Sequence, residues 1–328
     1  MEKEVISNVF FERLKKHLKR DSKLKAKKEI DDLCGMFLQK NNTLEIPKSN
    51  NIALELFLKA KRIEGSSERT IKYYKSTLKL VLDKIKKVYY LITTDDIRTF
   101  LSDYKTKNNV QNITIDNVRR VVSSFFCWLE NEDYIYKSPT KRIHKVKIVK
   151  KVKETYDDET IEMLKKTAKN IRDLAIINLL LSTGMRVGEL VKLNVKDIDL
   201  NNKECIVLGK GNKQRKVYFD IQTKISLNKY IESRKDDNEA LFVSLIRPYK
   251  RLNISGIEIM LRKLGLKIGI KSVHPHKFRR TIATKAIDKG MPIEQVQHML
   301  GHTKIDTTLE YAIVDDENVK NSHKKYLQ

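Results

Sequence analysis

The chain has 328 residues, about twice the ~150 residues of an average domain, so we expect two domains rather than one core. Its 67 Lys and Arg residues against 42 Asp and Glu residues leave a net charge of +25. Such a charge repels itself unless the normal partner is a polyanion, and nucleic acid is the first candidate. A hydrophobic fraction of 40% is enough to form packed cores, which excludes a disordered basic protein.

The cysteines and the apolar runs bear on the cellular compartment. Three cysteines, widely separated and without CxxC spacing, argue against a disulfide framework and a zinc ribbon. No apolar run approaches the ~18 residues that a membrane-spanning helix needs, and the first residues, MEKEVISNVF, lack the apolar core of a signal peptide. We therefore expect a cytoplasmic protein that makes no membrane contact.

The N-terminal half shows helical spacing throughout. Residues 1–46 predict a basic helical extension, which either packs on the next domain or forms a separate arm that contacts DNA or protein. Residues 47–138 predict a domain of four helices, with Ser67 and Thr94 as N-cap residues of two of them.

Residues 139–154 are rich in Lys and Arg and show neither a helical nor a strand period, so they predict a flexible linker. A cationic linker either follows a phosphate backbone, where it releases counterions, or only keeps the chain soluble. The same two interpretations apply to the basic faces of the helices. The residues that we expect to contact DNA are Lys72, Lys75, Arg119, Lys145, Lys147, Lys150, Lys151, Lys213 and Arg215.

Residues 155–328 predict a second, mainly helical domain. Residues 157–169 and 170–184 indicate two helices, the second of them buried because it is almost wholly apolar. The β-forming residues 206–208 and 217–219 flank the turn GKGNK and predict a hairpin. The rest returns to helices, with breaks expected at Gly265, Gly269, Pro275, Gly290 and Gly301. The fold class is thus mainly α, a helical domain followed by an α-rich domain with a small antiparallel β-sheet.

Four segments of this second domain hold polar residues that core patterning does not explain. In the first, Arg186 follows the buried helix at a Gly-containing turn, where a cation needs an acidic partner such as Glu189 or a bound anion. Alone, this would be a structural ion pair. The other segments carry Lys210 in the hairpin turn, His276 three residues before Arg279, and His302 after Gly301 with Tyr311 on the next predicted helix.

A zinc site is not indicated by the histidines. His298 and His302 are four residues apart, as in an HExxH motif, but Met299 stands in place of the glutamate and Gly301 ends the helix. We expect neither a metal nor another cofactor.

Together and in this order, TGMRVGELVKLNVKDID, GKGNKQRKV, HPHKFRRTIAT and MLGHTKIDTTLEYA resemble the catalytic domain of the tyrosine recombinases, the phage-integrase type of DNA breaking and joining enzymes. SERTIKYYKSTL and RRVVSSFFCWL resemble the helical core-binding domain of that family. Many relatives have His after the second Arg, whereas this chain has Arg280. The resemblance implies a catalytic set of Arg186, Lys210, His276, Arg279, His302 and the nucleophile Tyr311, with Glu189 in a supporting role.

The resemblance also implies a reaction. Two guanidiniums and two histidines would hold the negative charge that develops on a phosphodiester under attack, so the site could dispense with a metal ion. A free phenol has a pKa of about 10 and is a poor nucleophile unless the cationic site lowers that pKa or His276 helps to take the proton. Lys210 would protonate the leaving 5′-oxygen. The 3′-phosphotyrosine link retains the energy of the broken bond, so rejoining needs no ATP.

The expected partner is duplex DNA with specific recombination sites, bound by a tetramer of this chain, together with accessory DNA-bending or directionality factors. The expected role is the integration and excision of a mobile element, and the protein would associate with the nucleoid when bound to DNA. Two alternatives stay open, a type IB topoisomerase that relaxes supercoils and a sequence-specific DNA-binding regulator without catalysis.

Overall fold

The computed structural model describes residues 46–148, 154–209 and 214–311, together with Ile30, His323 and Lys324. The chain divides into two compact units, one within Met1–Lys151 and the other within Val152–Gln328. The predicted extension 1–46 therefore lies almost entirely outside the described residues. Within the described part, no helix is both long and apolar enough to cross a membrane.

The first unit consists of helices that pack around one apolar core. They are α1 (Asn50–Ile63), α2 (Glu68–Ile85), α3 (Thr94–Asn108) and α4 (Asn112–Asn131). Each helix repeats its buried residues every three or four positions, which places one apolar stripe against the core. Aromatic rings link the first and last helices, since Phe57 lies 5.4 Å from Phe125 and 5.6 Å from Trp128 between ring centroids. The four predicted helices are confirmed.

One of the two predicted N-caps is wrong by a residue. Ser67 caps α2 by accepting the backbone N–H of Thr70, as predicted. The cap of α3 is Thr93 rather than Thr94, because its hydroxyl accepts the N–H of Asp96 while the Asp96 carboxylate accepts the N–H of Thr93. This reciprocal capping box needs an acidic residue three positions after the cap, and only Thr93 has one there with the right backbone geometry.

The first part of the predicted flexible linker is fixed to the first unit. The buried carboxylate of Asp116 on α4 accepts the backbone N–H of Val146 at 3.1 Å, and Asn112 donates to the carbonyl of Lys147 at 2.9 Å. Further back, the hydroxyl of Thr94 donates to the carbonyl of Pro139 at 2.7 Å. A wholly flexible linker is thus the wrong expectation, because backbone groups of Pro139, Val146 and Lys147 are bonded to side chains of α3 and α4. Residues 149–153 lie outside the described part.

The second unit is helical with one small sheet. Its helices are α5 (Asp158–Thr167), α6 (Ile171–Thr183), α7 (Val187–Leu190), α8 (Ile221–Glu232), α9 (Ile254–Lys267), α10 (Pro275–Asp288), α11 (Ile293–Leu300) and α12 (Asp306–Leu309). As predicted, α6 is buried, and it packs between α8 and α10. The sheet has the antiparallel order β1 (Ile198–Asp199), β2 (Glu204–Leu208) and β3 (Gln214–Tyr218). The predicted fold class is confirmed, and the sheet has one short strand more than the hairpin that the sequence predicts.

Two expectations for the C-terminal helices are wrong. Gly265 does not break a helix but lies inside α9, where a Cβ atom would come within 2.4 Å of the Val273 side chain. The residue is small because another segment packs directly on the helix, and Gly269 with φ +76° follows the helix end. Tyr311 is not on a helix, since α12 ends at Leu309 and Tyr311 lies in the turn that follows.

Candidate active site

The first arginine of the site is placed by the end of the buried helix α6. Gly184 terminates α6 in the left-handed conformation with φ +60°, which turns the chain so that Arg186 becomes the N-cap of the short helix α7. Glu189, in the first turn of α7, accepts the backbone N–H of Arg186 at 2.8 Å and its Nη1 at 2.9 Å. The helix end and the capping carboxylate together fix the backbone and the guanidinium of Arg186.

The same carboxylate binds a second arginine from the sheet. Arg215 on β3 donates from Nη1 to Oε1 of Glu189 at 2.9 Å and from Nη2 to Oε2 at 2.8 Å, a bidentate pair. Both side chains are buried, with 9% of Arg215 and 4% of Glu189 exposed. Burial by itself would raise the pKa of Glu189, but the hydrogen bonds from Arg215 and Arg186 outweigh it and lower the pKa. Glu189 is therefore an anion.

The C-terminus of helix α11 holds three arginines by three consecutive carbonyl groups. Arg215 donates from Nε to the carbonyl of Met299 at 3.3 Å, Arg279 from Nη2 to that of Leu300 at 2.6 Å, and Arg186 from Nη2 to that of Gly301 at 3.3 Å. The last carbonyls of a helix lack partners within the helix and form the negative end of its dipole. This helix end is thus well suited to gather cations.

Arg279 is the most deeply buried of these cations, with 2% of its surface exposed. Its Nη1 donates to the carbonyl of Gly184 at 2.7 Å, so the guanidinium joins the ends of α6 and α11. Burial, followed by repulsion from Arg186, lowers the pKa of Arg279 to about 10, which leaves it charged at neutral pH. We call the guanidiniums of Arg186, Arg215 and Arg279 with the Glu189 carboxylate the arginine cluster.

His302 and Tyr311 lie beside the arginine cluster. The ring centroids of the two residues are 5.9 Å apart in a stacked arrangement, and Tyr311 is buried against Ala283, Val296 and Leu300. Burial and then the charges of the cluster lower the pKa of His302 to about 4, so its ring is neutral at physiological pH.

Nδ1 of His302 lies 2.8 Å from the hydroxyl of Thr308, which is fully buried on α12. This hydrogen bond fixes the orientation of the imidazole ring. Sequence analysis missed Thr308, although it lies in the segment HTKIDTTLEYA, because a threonine inside a motif gives no sign that its hydroxyl points at a histidine. The carbonyls of Gly184 and Leu300 were also missed, since backbone acceptors carry no sequence signal.

His276 and Lys210 are the other two predicted catalytic residues. His276 is exposed in the first turn of α10, which begins at Pro275, so His276 and Arg279 share one helix at a spacing of three. Its charge contributes to lowering the pKa of His302, which places it near the same site. Lys210 lies outside the described residues, between β2 and β3.

Comparison with known proteins identifies the family. The Phage integrase family matches residues 153–318, just over half of the chain, and its N-terminal SAM-like domain matches residues 54–135. The chain belongs to the phage integrase family. Its members are the tyrosine recombinases, as the names of its relatives state.

The relatives match most of the length of this tyrosine recombinase. Tyrosine recombinase XerC of Leptospira interrogans is 31% identical over 293 residues, which cover 85% of this chain and 94% of the relative. The solved Tn1549 transposon integrase, in complex with transposon right end DNA, has a TM-score of 0.70 at 19% identity and covers 84% of this chain and 99% of its own. XerH bound to its difH substrate has a TM-score of 0.67 at 18% identity, and the match covers 98% of this chain and 95% of the XerH chain. These two structures share the fold of the recombinase described here.

The residues expected to contact DNA fall into three groups in this recombinase. Lys72, Lys145 and Lys147 are exposed, as a DNA contact requires. Three others are bonded to carboxylates, Lys75 to Glu55 at 2.7 Å, Arg119 to Asp116 at 2.8 Å and Arg215 to Glu189. Of these, Arg215 is buried in the arginine cluster rather than displayed on a surface. Lys150, Lys151 and Lys213 lie outside the described residues.

Proposed function

We propose that this tyrosine recombinase cleaves and rejoins duplex DNA at specific sites through a 3′-phosphotyrosine intermediate formed by Tyr311. The observation that carries the proposal is the arginine cluster beside the His302 and Tyr311 rings. Three guanidiniums against one carboxylate leave two positive charges in a largely buried site. Such a site favours a phosphodiester, and favours more strongly the additional negative charge of its transition state.

Arg186 and Arg279 are suited to different parts of this task. The Arg186 side chain is 41% exposed, so a phosphate arriving from solvent can reach it. Arg279 is held by two carbonyl groups, and neither of them cancels its positive charge as a carboxylate would. We infer that the two guanidiniums bind the non-bridging oxygens, because their positions are fixed before the DNA arrives and need no reorganisation.

His302 supplies a neutral donor. In the tautomer in which Thr308 donates to Nδ1, Nε2 carries the only ring proton and can donate it to a phosphate oxygen. The low pKa of His302 keeps the ring from adding a further positive charge beside Arg279.

The reaction balances without an external energy source. The phenolic oxygen of Tyr311 forms a bond to phosphorus, its proton passes to a base for which His276 is our candidate, and the bond to the 5′-oxygen breaks. Lys210, as the family resemblance implies, would donate a proton to that leaving oxygen. Attack of another 5′-hydroxyl on the phosphotyrosine reverses these steps and releases Tyr311 with the strands exchanged.

A nicked DNA duplex tests the proposal. When the recombinase cleaves close to the nick, the short fragment that carries the released 5′-hydroxyl diffuses away, and the protein stays covalently attached to the 3′-phosphate of the remaining DNA. We expect this adduct with the unmodified chain and none with Tyr311→Phe. The matched control is Tyr218→Phe, because Tyr218 is 64% exposed on β3. This variant should form the adduct normally.

The outcomes separate the proposal from its alternatives. An unmodified chain that binds DNA but forms no adduct would be a DNA-binding regulator. An adduct accompanied by relaxation of supercoils at any sequence, without exchange between two sites, would indicate a topoisomerase. Persistence of the adduct in Tyr311→Phe would show that another residue is the nucleophile.

We further propose that four copies act together on two DNA sites and that the reaction integrates and excises a mobile element. The support for the second point is the basic segment 1–46, which adds a candidate DNA contact to the two units that the family matches cover. Light scattering of the complex with two sites tests the tetramer. Attachment repeats in the DNA that flanks the gene would support the mobile element, and their absence would contradict it. The cytoplasmic, nucleoid-associated location and the accessory factors stay predictions.

A further inference from the structure

Glu189 accepts hydrogen bonds from two arginines in unequal ways. Arg215 bonds both carboxylate oxygens with its two Nη atoms, at 2.9 and 2.8 Å. The side chain of Arg186 bonds only Oε1, at 2.9 Å, and the remaining acceptor position on Oε2 is taken by the backbone N–H of Arg186. Because Arg215 occupies the bidentate position, the Arg186 guanidinium keeps donor groups that point away from Glu189.

The burial of the two arginines follows the same division. The Arg215 side chain is 9% exposed and that of Arg186 is 41% exposed. A phosphate from solvent therefore meets Arg186, whereas Arg215 faces the carboxylate. Without Arg215, Glu189 would have one guanidinium left to pair with, and the strongest geometry open to it would be a bidentate pair with Arg186.

Arg215 is also packed against the segment that leads into His302. Its Nε donates to the carbonyl of Met299 at 3.3 Å. A Cβ atom built on Gly301 would lie 2.9 Å from Cδ of Arg215, so the glycine is in direct contact with the side chain. Arg215 thus joins β3 to the helix end that bonds all three guanidiniums.

We propose that Arg215 is a positioning residue of the recombination reaction, which occupies Glu189 so that the guanidinium of Arg186 stays available to the scissile phosphate. The inference rests on the proposed function. It replaces the expectation from sequence that Arg215 contacts the DNA backbone, and the two roles predict different kinetics.

The first experiment compares Arg215→Met and Arg215→Lys with the unmodified chain on the nicked duplex. At saturating DNA we expect the rate of adduct formation with Arg215→Met to fall on the order of 100-fold, a typical effect of losing one preorganised donor to the transition state. Arg215→Lys should recover only part of the rate, because an ammonium group lacks the planar fork of separated donors with which Arg215 bonds both oxygens of Glu189 and the Met299 carbonyl.

DNA affinity is measured on the same proteins across a range of salt concentrations. A positioning role predicts an unchanged dissociation constant and an unchanged salt dependence. A phosphate contact predicts weaker binding and a salt slope that is smaller by about 1, with a normal cleavage rate at saturation. The matched control is Lys216→Gln, because Lys216 is the next residue on β3, is exposed and pairs with Glu204. It should behave like the unmodified chain in cleavage.

A double-mutant cycle with Glu189→Gln tests whether Arg215 acts through Glu189. In the Glu189→Gln background the carboxylate that would capture Arg186 is gone, so Arg215→Met should cost less than about threefold in rate. The inference would be overturned if the rate losses of Arg215→Met and Glu189→Gln simply multiplied in the double variant. Full activity of Arg215→Lys, or a loss confined to DNA binding, would overturn it as well.

Unchanged DNA affinity shows that each variant is folded. If Arg215→Met alone does not fold, the double variant and Arg215→Lys carry the test. Absence of any adduct with the unmodified chain would instead refute the proposed function.

Discussion

Replacing His302 with glutamine should change how the stability of the protein depends on pH. Burial and then the charges of Arg279, Arg186, Arg215 and His276 lower the pKa of His302 from 6.5 to about 4 in the folded chain. Below pH 6.5 the unfolded chain therefore takes up a proton at this residue that the folded chain does not, and acid favours unfolding. The resulting loss of unfolding free energy is absent well above pH 6.5, grows as the pH falls, and is complete near pH 4.

The size of the effect follows from the two pKa values. A lowering from 6.5 to about 4 corresponds to about 3.4 kcal/mol of unfolding free energy when it is fully developed. Between pH 7 and pH 5, where the folded ring is still mostly neutral, about 2 kcal/mol should be lost. The glutamine variant has no group that titrates in this range at that position, so it should lack this part of the loss.

Urea denaturation followed by circular dichroism at pH 7, 6 and 5 measures the difference. We expect the unfolding free energy of the unmodified chain to fall by about 2 kcal/mol more than that of His302→Gln. His298→Gln is the matched control, because His298 is exposed in the last turn of α11, and its profile should follow the unmodified chain. Parallel profiles for the unmodified chain and His302→Gln would refute the electrostatic argument. Proton NMR of the histidine rings gives the pKa of His302 directly.

Three further substitutions test the packing that holds the site. Gly301→Ala should lower the unfolding free energy by about 1–3 kcal/mol and slow cleavage, because Gly301 has φ +64° and a Cβ atom would displace Arg215. Gly265→Ala should cost about 1–3 kcal/mol in urea denaturation, because its Cβ would lie 2.4 Å from Val273 in a packed interior. Asp116→Asn should cost about 2–3 kcal/mol by the same assay, since the fully buried carboxylate accepts two arginine donors and one backbone N–H.

The two glycine substitutions each have a control in the same chain. Gly290 has φ +86° with nothing within 4 Å of its Cβ position, so Gly290→Ala measures backbone strain without the collision at Gly301. Gly188 lies in helix α7 with only ordinary contact at 3.8 Å, so Gly188→Ala should not destabilise as Gly265→Ala does. The steric argument would be contradicted if Gly301→Ala and Gly290→Ala lost equal unfolding free energy, or if Gly265→Ala and Gly188→Ala did. For Asp116→Asn, an unfolding free energy equal to that of the unmodified chain would show that the hydrogen bonds and ion pairs of the Asp116 carboxylate contribute nothing to stability.

Much of the fold follows from local patterns in the sequence. Helices such as α2 and α6 are set by apolar spacing and by capping residues close in sequence. The antiparallel pair of β2 and β3 is set by β-forming residues on either side of a glycine-containing segment. These signals act over a few residues, so they can be recognised without the tertiary structure. The same locality explains the errors, since Thr93 and Thr94 are both capping residue types and only the backbone geometry selects one.

The sequence by itself determined the family and the candidate residues of the site, since the residue types and their order resemble one family and name Arg186, Arg279, His302 and Tyr311 as candidates. It did not determine what Arg215 does. In the sequence, a basic residue close to two lysines looks the same whether its side chain faces a DNA backbone or a buried carboxylate. Only the packing of β3 against α7 and α11 places its guanidinium on Glu189 and on a helix-end carbonyl, because those partners are 26 and 84 residues away along the chain.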